Sequence, residues 1–149
     1  MSNENTKFFE RNAVVAAINP ASQAAGTAVS GWISMSAFHQ IAAIGLVGVF
    51  GSSATVDAKW QQAQDGSGTG AKDVTGKAIT QLLAAGGNNR QFTAELRDTE
   101  LDANNGFGYV QFSMTVGTAA TLIGGVVIGT LPQFQPGSLF DATSVAQHV

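Results

Sequence analysis

The chain has 149 residues, a net charge of −3 from seven basic and ten acidic side chains, and no cysteine. That length suits one domain with a core that buries roughly 68% of the unfolded chain's surface. A disulfide scaffold, a zinc–thiolate site and a cysteine nucleophile are excluded, and the few scattered Lys and Arg argue against nucleic acid as a partner, because no basic stripe can form to displace counterions from phosphate.

Charged residues make up 11% of the chain and hydrophobic residues 44%, against a usual charged share of about 25%. The deficit is blocked along the sequence. No Asp, Glu, Lys or Arg occurs between Asn12 and Val56, and none between Ala103 and Phe140. Charge is confined to residues 1–11, to residues 57–102 and to Asp141. Two charge-free segments of this length must be buried or face other protein, and neighbouring subunits are the simplest cover for the missing charged exterior.

Residues 1–11 read as an N-terminal arm. Glu4, Lys7, Glu10 and Arg11 interrupt the apolar run that a signal peptide needs. Phe8 and Phe9 lie among these charges, where an exposed aromatic pair is costly unless docked, so docking against a neighbour is expected. Residues 12–130 read as the folded domain. Residues 13–18 and 28–35 are short strand candidates on either side of a turn at Pro20. His39 stands between Phe38 and an apolar run and is expected to be a core or interface histidine with one backbone bond. Residues 41–50 are continuously apolar, as in a strand buried on both faces or at a subunit contact, and at ten residues are too short to cross a bilayer.

Val56, Ala58 and Trp60 alternate with Asp57, Lys59 and Gln61, the period of a strand with one dry and one wet face. The following Asp65-Gly66-Ser67-Gly68-Thr69-Gly70-Ala71-Lys72-Asp73 superficially resembles a phosphate cradle. It lacks the Gly-Lys-Ser/Thr of a P-loop and the third glycine of a dinucleotide fold, and is expected to be a hairpin loop. Residues 76–85 are the best helical candidate, bounded by glycines. Phe92, Ala94 and Leu96 alternate with polar neighbours, as do Val110, Phe112, Met114 and Val116. Turns are expected at residues 86–89 and 104–106.

Residues 122–128 form the second strand of continuous apolar character. The charge-free window 113–131 is not expected to span a membrane: it carries Ser113, Thr115, Thr118, Thr121 and Thr130 and lacks flanking Lys or Arg. Pro20, Pro132 and Pro136 all fall outside the strands proposed here. Residues 131–149 read as an irregular C-terminal arm with Phe134 and Phe140. The fold expected is all-β, an antiparallel β-sandwich of jelly-roll character with extended arms at 1–11 and 131–149.

Catalytic chemistry has little raw material. His39 and His148 are the two histidines, too few for a triad or a His-rich metal site. The acidic group Glu95, Asp98, Glu100 and Asp102 has neither the spacing nor the glycine of an EF-hand and is expected to be a solvated strand end and loop. Trp60 falls on the apolar register of its strand, which favours core packing over a carbohydrate platform. No enzyme activity, catalytic residue, metal or cofactor is expected.

The stretch Ala58-Lys59-Trp60-Gln61-Gln62-Ala63, with residues 65–74 after it, and Tyr109-Val110-Gln111-Phe112, with residues 118–129 after it, resembles small tailed-phage structural proteins. The resemblance is to the head decoration or cement group, in a style of β-strand and glycine loop rather than a catalytic signature. It implies a β-sandwich that self-associates, as a dimer or trimer, on the outside of an icosahedral head and clamps major capsid protein subunits. The protein would be made in the host cytoplasm and reside on the virion surface. Independently of the resemblance, the charge map and the arms nominate Phe8, Phe9, Arg11, Phe134 and Phe140 for the capsid or subunit interface. The alternatives are a head–tail connector or tail subunit and, from another class, a carbohydrate-binding adhesion module.

Overall fold

In the computed structural model, which describes residues 5–149, the alternating stretches become strands and the Gly/Asn-rich stretches become turns. After one helical turn, α1 (Phe8–Arg11), come β1 (Asn12–Gln23), β2 (Gly26–Val29), β3 (Ile33–Ser34), β4 (Phe38–Val47) and β5 (Thr55–Ala63). Then follow β6 (Lys72–Ala78), β7 (Leu82–Leu83), β8 (Arg90–Arg97), β9 (Tyr109–Gly117) and β10 (Thr121–Pro132), with short 3-10 turns between several of them.

All the strand pairings are antiparallel. One sheet has the order β1-β10-β4-β8 and the other β2-β9-β5-β6. Because β5 and β9 pair along their whole lengths, β2 and β3 share the other edge of β9, and β6 and β7 share the other edge of β5. Counting each such pair as one interrupted strand leaves eight strands in the orders 1-8-3-6 and 2-7-4-5. That is a jelly roll, two interleaved Greek keys closed face to face.

The inward sides of the two sheets meet in one core. Trp60, Phe112, Ile41, Leu96, Met114, Val56, Val110 and Val127 are almost wholly buried there. Trp60 packs on Phe112 at 5.3 Å between ring centroids, and its indole N–H donates to the Ala94 carbonyl across the sandwich (3.1 Å). Two glycines make room on the inner side of the first sheet. Gly45 and Gly125 are cross-strand partners, and a Cβ on Gly45 would lie 2.1 Å from Cζ of Phe92.

Two local expectations are corrected. Residues 76–85 form no helix: β6 runs to Ala78 and Leu82–Leu83 form β7, since the free edge of β5 pairs with both, at Lys59 with Ala78 and at Val56 with Leu82. Sheet hydrogen bonds to that edge outweigh a weak helical preference interrupted by Gly76, whose φ is +76°. Nor do the prolines all avoid strands, because Pro20 lies within β1 and Pro132 ends β10. β1 is an edge strand whose register on β10 shifts between Ile18 and Ala21, so at that bulge the missing N–H removes no ladder bond.

Trp60→Ala is expected to lower stability by about 3–5 kcal/mol through the cavity it leaves. Gly45→Ala is expected to cost about 1–3 kcal/mol by driving a methyl into the Phe92 ring. Urea unfolding would read both, and a wild-type midpoint for Gly45→Ala would show that the ring is not confined there.

Candidate interaction surface

Strand register dictates what the first sheet shows to the outside. Ile123, Gly125 and Val127 of β10 point inward, so Leu122, Gly124, Val126 and Ile128 point outward. Across from them on β4 lie Leu46 (opposite Gly124), Ile44 (opposite Val126) and Ala42 (opposite Ile128). On β1, Ala17 lies opposite Val126 and Val14 opposite Ile128.

The result is an aliphatic sheet face with no charge on β1, β10 and β4. Leu46, Leu122 and Val126 are left 50%, 47% and 37% exposed. At Gly124 a Cβ would sit 3.2 Å from Cβ of Pro20, which packs closely over the glycine, and a shallow depression of about 340 Å³ lies between Pro20, Leu46, Gly48 and Leu122. Charge enters only on β8, with exposed Glu95 and Arg97.

The outward face of the second sheet is the opposite in character. Thr27 and Thr115 share a hydroxyl hydrogen bond (2.8 Å), Gln111 donates to Gln61 (3.3 Å), Gln81 donates to Asp57 (2.8 Å) and Lys59 pairs with Asp73 (2.9 Å). The middle strands of this face are built for water, and its flanks expose Val29 on β2 and Leu83 on β7. A single sandwich therefore carries one apolar and one hydrated exterior.

The arms meet at one end of the first sheet. The Val14 amide donates to Asp141 Oδ1 (2.8 Å) and the Ala142 amide donates to the Val14 carbonyl (2.7 Å), so residues 141–142 cover part of the open edge of β1. The second Asp141 oxygen pairs with His148. Gly137 closes the fit, since a Cβ there would lie 2.8 Å from the Asn12 backbone.

Among the residues nominated from sequence, Phe9 stacks on His148 at 4.8 Å and Phe140 on Phe38 at 5.3 Å, both within the chain. Arg11 is half-buried where α1 passes into β1. Phe8 lies edge-on to Phe9 yet is 60% exposed, and Phe134 is 67% exposed. The structure thus divides the four phenylalanines: Phe8 and Phe134 are presented outward, while Phe9 and Phe140 fasten the arms to the sandwich. Leu46, Leu122 and Val126 were not nominated. Their signal was the continuous apolar character of residues 41–50 and 122–128.

Other polar clusters are consumed locally. His39 is not a core histidine: its side chain is 68% exposed and pairs with Asp98 (3.0 Å) in the turn at 98–100, beside the start of β4. Lys77 lies against Glu100 and Lys72 against Asp102, and each lysine holds its partner's carboxyl below its ordinary value. Among the described residues no group of three or more His, Asp or Glu side chains is arranged to hold a metal ion. The glycine-rich hairpin folds around its own carboxylate. Asp65 accepts from the Thr69 hydroxyl (2.6 Å) and from the Ser67 and Thr69 amides (2.9 and 3.1 Å), bonds that also depress its pKa. Those amides point at a negative charge already in place, which opposes phosphate binding. Among the described residues no helix is long and apolar enough to cross a membrane; residues 113–131 lie in β9, β10 and the turn between them.

No protein-family model matches the chain, and no curated protein matches its sequence. Among solved structures it is similar to a protein described under "CBM4 structure and function", at 18% identity and TM-score 0.43 over 72% of this chain and 61% of that one. It thus spans less than two thirds of that protein's length. It is also similar to the SPBc2 prophage-derived protein YomS, at 13% identity and TM-score 0.40 over 79% and 91% of the two chains. A third is a protein of Triatoma virus, at 11% identity and TM-score 0.46 over 94% and 74%. The β-sandwich and its jelly-roll order rest on the strand pairing itself.

Asp141→Ala is expected to release the C-terminal arm. Limited proteolysis should then cut within residues 133–149 several-fold faster while the remaining domain keeps its unfolding midpoint. Unchanged cleavage would show that Asp141 does not fasten the arm.

Proposed function

We propose that this chain is a structural virion protein that binds the major capsid protein lattice on the outer surface of a phage head, as an oligomer, and stabilises it without catalysing a reaction. The observation that carries the reading is the uneven exterior: a charge-free aliphatic face on β1, β10 and β4, opposite a hydrated face on β9 and β5. A chain that worked alone in water would gain nothing from the first. A subunit seated between other proteins uses it as an interface and turns the second outward.

Phe8 and Phe134 supply the contact with the shell in this reading. Both are large, apolar and presented outward from arms fastened to a rigid sandwich. Each such contact is small, but once one is made the next becomes intramolecular, so many weak contacts over a shell act together. A head–tail connector or tail subunit would use the same surfaces at far fewer copies per particle. An adhesion module that stacks sugars on aromatic rings has less support: Trp60 lies in the core, Phe8 and Phe134 belong to the arms, and Trp32 and Tyr109 are half-buried against the glycine hairpin at Gly68 and Gly66.

Deletion of residues 1–11, and separately Phe134→Ala, should lower saturation of purified heads in co-sedimentation while leaving the fold intact by circular dichroism. Wild-type saturation should be at high copy number. Occupancy unchanged in both variants would remove the arms from the proposal, and binding limited to a dozen or fewer copies would replace the head role with the connector.

A further inference from the structure

We infer that the aliphatic face of the first sheet is the contact between two copies of this chain, packed sheet on sheet about a two-fold axis. This rests on the reading of the protein as an assembling structural subunit and names the partner of that face.

The first argument is size. Four strands at about 4.8 Å spacing and about 3.4 Å per residue over the nine residues from Leu122 to Thr130 give a flat area of about 590 Å², of which the three aliphatic strands make up about 440 Å² and polar β8 the rim, before side-chain relief is added. Standard protein interfaces bury about 800 Å² per partner and the weakest specific ones somewhat under about 600 Å². With its polar rim the sheet therefore reaches the low end of the range of a specific dimer, and its aliphatic part of about 440 Å² lies within the range of the largest apolar patch expected on a monomer, about 300–600 Å².

The second argument is self-complementarity. An isologous contact requires that residue i meet residue j while j meets i. Place the axis between the sheets and across β10 at Gly125. Val126 of one copy then lies over Gly124 of the other, a projecting side chain over the depression walled by Pro20, Leu46 and Leu122. The same operation sets Leu46 over Ile44, since these pair with Gly124 and Val126, and Leu122 over Ile128. On β8 it sets Thr93 over Gln91, a polar rim able to hydrogen-bond.

The third argument is charge. None of the outward residues of β1, β10 and β4 that this operation superposes is charged, so two negatively charged chains meet without opposing like charges. Sheet-on-sheet packing at about 10 Å is the arrangement these short aliphatic side chains can fill.

Sedimentation equilibrium tests this directly. The wild-type chain should be a concentration-dependent dimer, and Val126→Asp should raise the dimer dissociation constant at least about tenfold by burying a charge without a partner. Circular dichroism and the urea midpoint confirm that the variant folds, and Gln111→Asp on the hydrated face should leave the dimer unchanged. Because the chain has no cysteine, Val126→Cys can also be joined by a short bis-maleimide, whereas Gln111→Cys should remain single. A wild-type chain that stays monomeric yet saturates heads overturns the dimer and leaves the virion reading standing. A dimer that Val126→Asp does not weaken also overturns it. A dimer lost in Val126→Asp, from a protein that binds no head, supports this contact and removes the virion reading.

Discussion

A two-layer sandwich covers only one face of each sheet, so whatever the central strands carry outward is left to water or to another protein. The pairing of β10 with β4 turns this into the governing constraint. These strands hold the middle of the first sheet, come from the two charge-free stretches of the sequence, and are aliphatic on both faces. Inward, Ile41, Val47 and Val127 close the core, with Gly45 leaving space for the Phe92 ring. Outward, the same strands expose Leu46, Leu122 and Val126. The sandwich stabilises itself with one side of the pair and leaves the other for association.

The remaining features follow from that division. Charge is kept off the aliphatic face: the open edge of β1 is partly covered by residues 141–142, and the lysine–carboxylate pairs join β5 to β6 and β6 to Glu100 and Asp102. The arms are fastened rather than loose. Asp141 bridges the Val14 amide and His148, and Phe9 rests on the same histidine. This leaves Phe8 and Phe134 projecting from a fixed base, which limits the conformational entropy lost when they dock.

Much of the sandwich was legible in the sequence because period-2 alternation is a direct imprint of a half-buried strand. Val56, Ala58 and Trp60, and likewise Val110, Phe112, Met114 and Val116, point inward as their spacing requires. Residues 76–85 were misread because their state is set by the free edge of β5, a partner remote in sequence. Pro20 was placed outside a strand because a bulge on an edge strand leaves no local mark. His39 was expected in the core or at an interface from its apolar neighbours, whereas within the chain it is exposed and its partner is Asp98, remote in sequence. The candidate surface was half visible: continuous apolar runs announced strands with two dry faces, but only the strand order shows that both lie side by side with one face uncovered.

The central claim is that the outward face of β1, β10 and β4 is buried against protein in the working assembly. Carbene footprinting of the chain, free at high dilution and bound on heads, tests it most directly. The account predicts that labelling at Leu46, Leu122 and Val126 falls sharply on assembly while labelling at Gln61, Gln111 and Thr115 on the opposite sheet persists. Undiminished labelling at the three aliphatic positions in the bound state would contradict it.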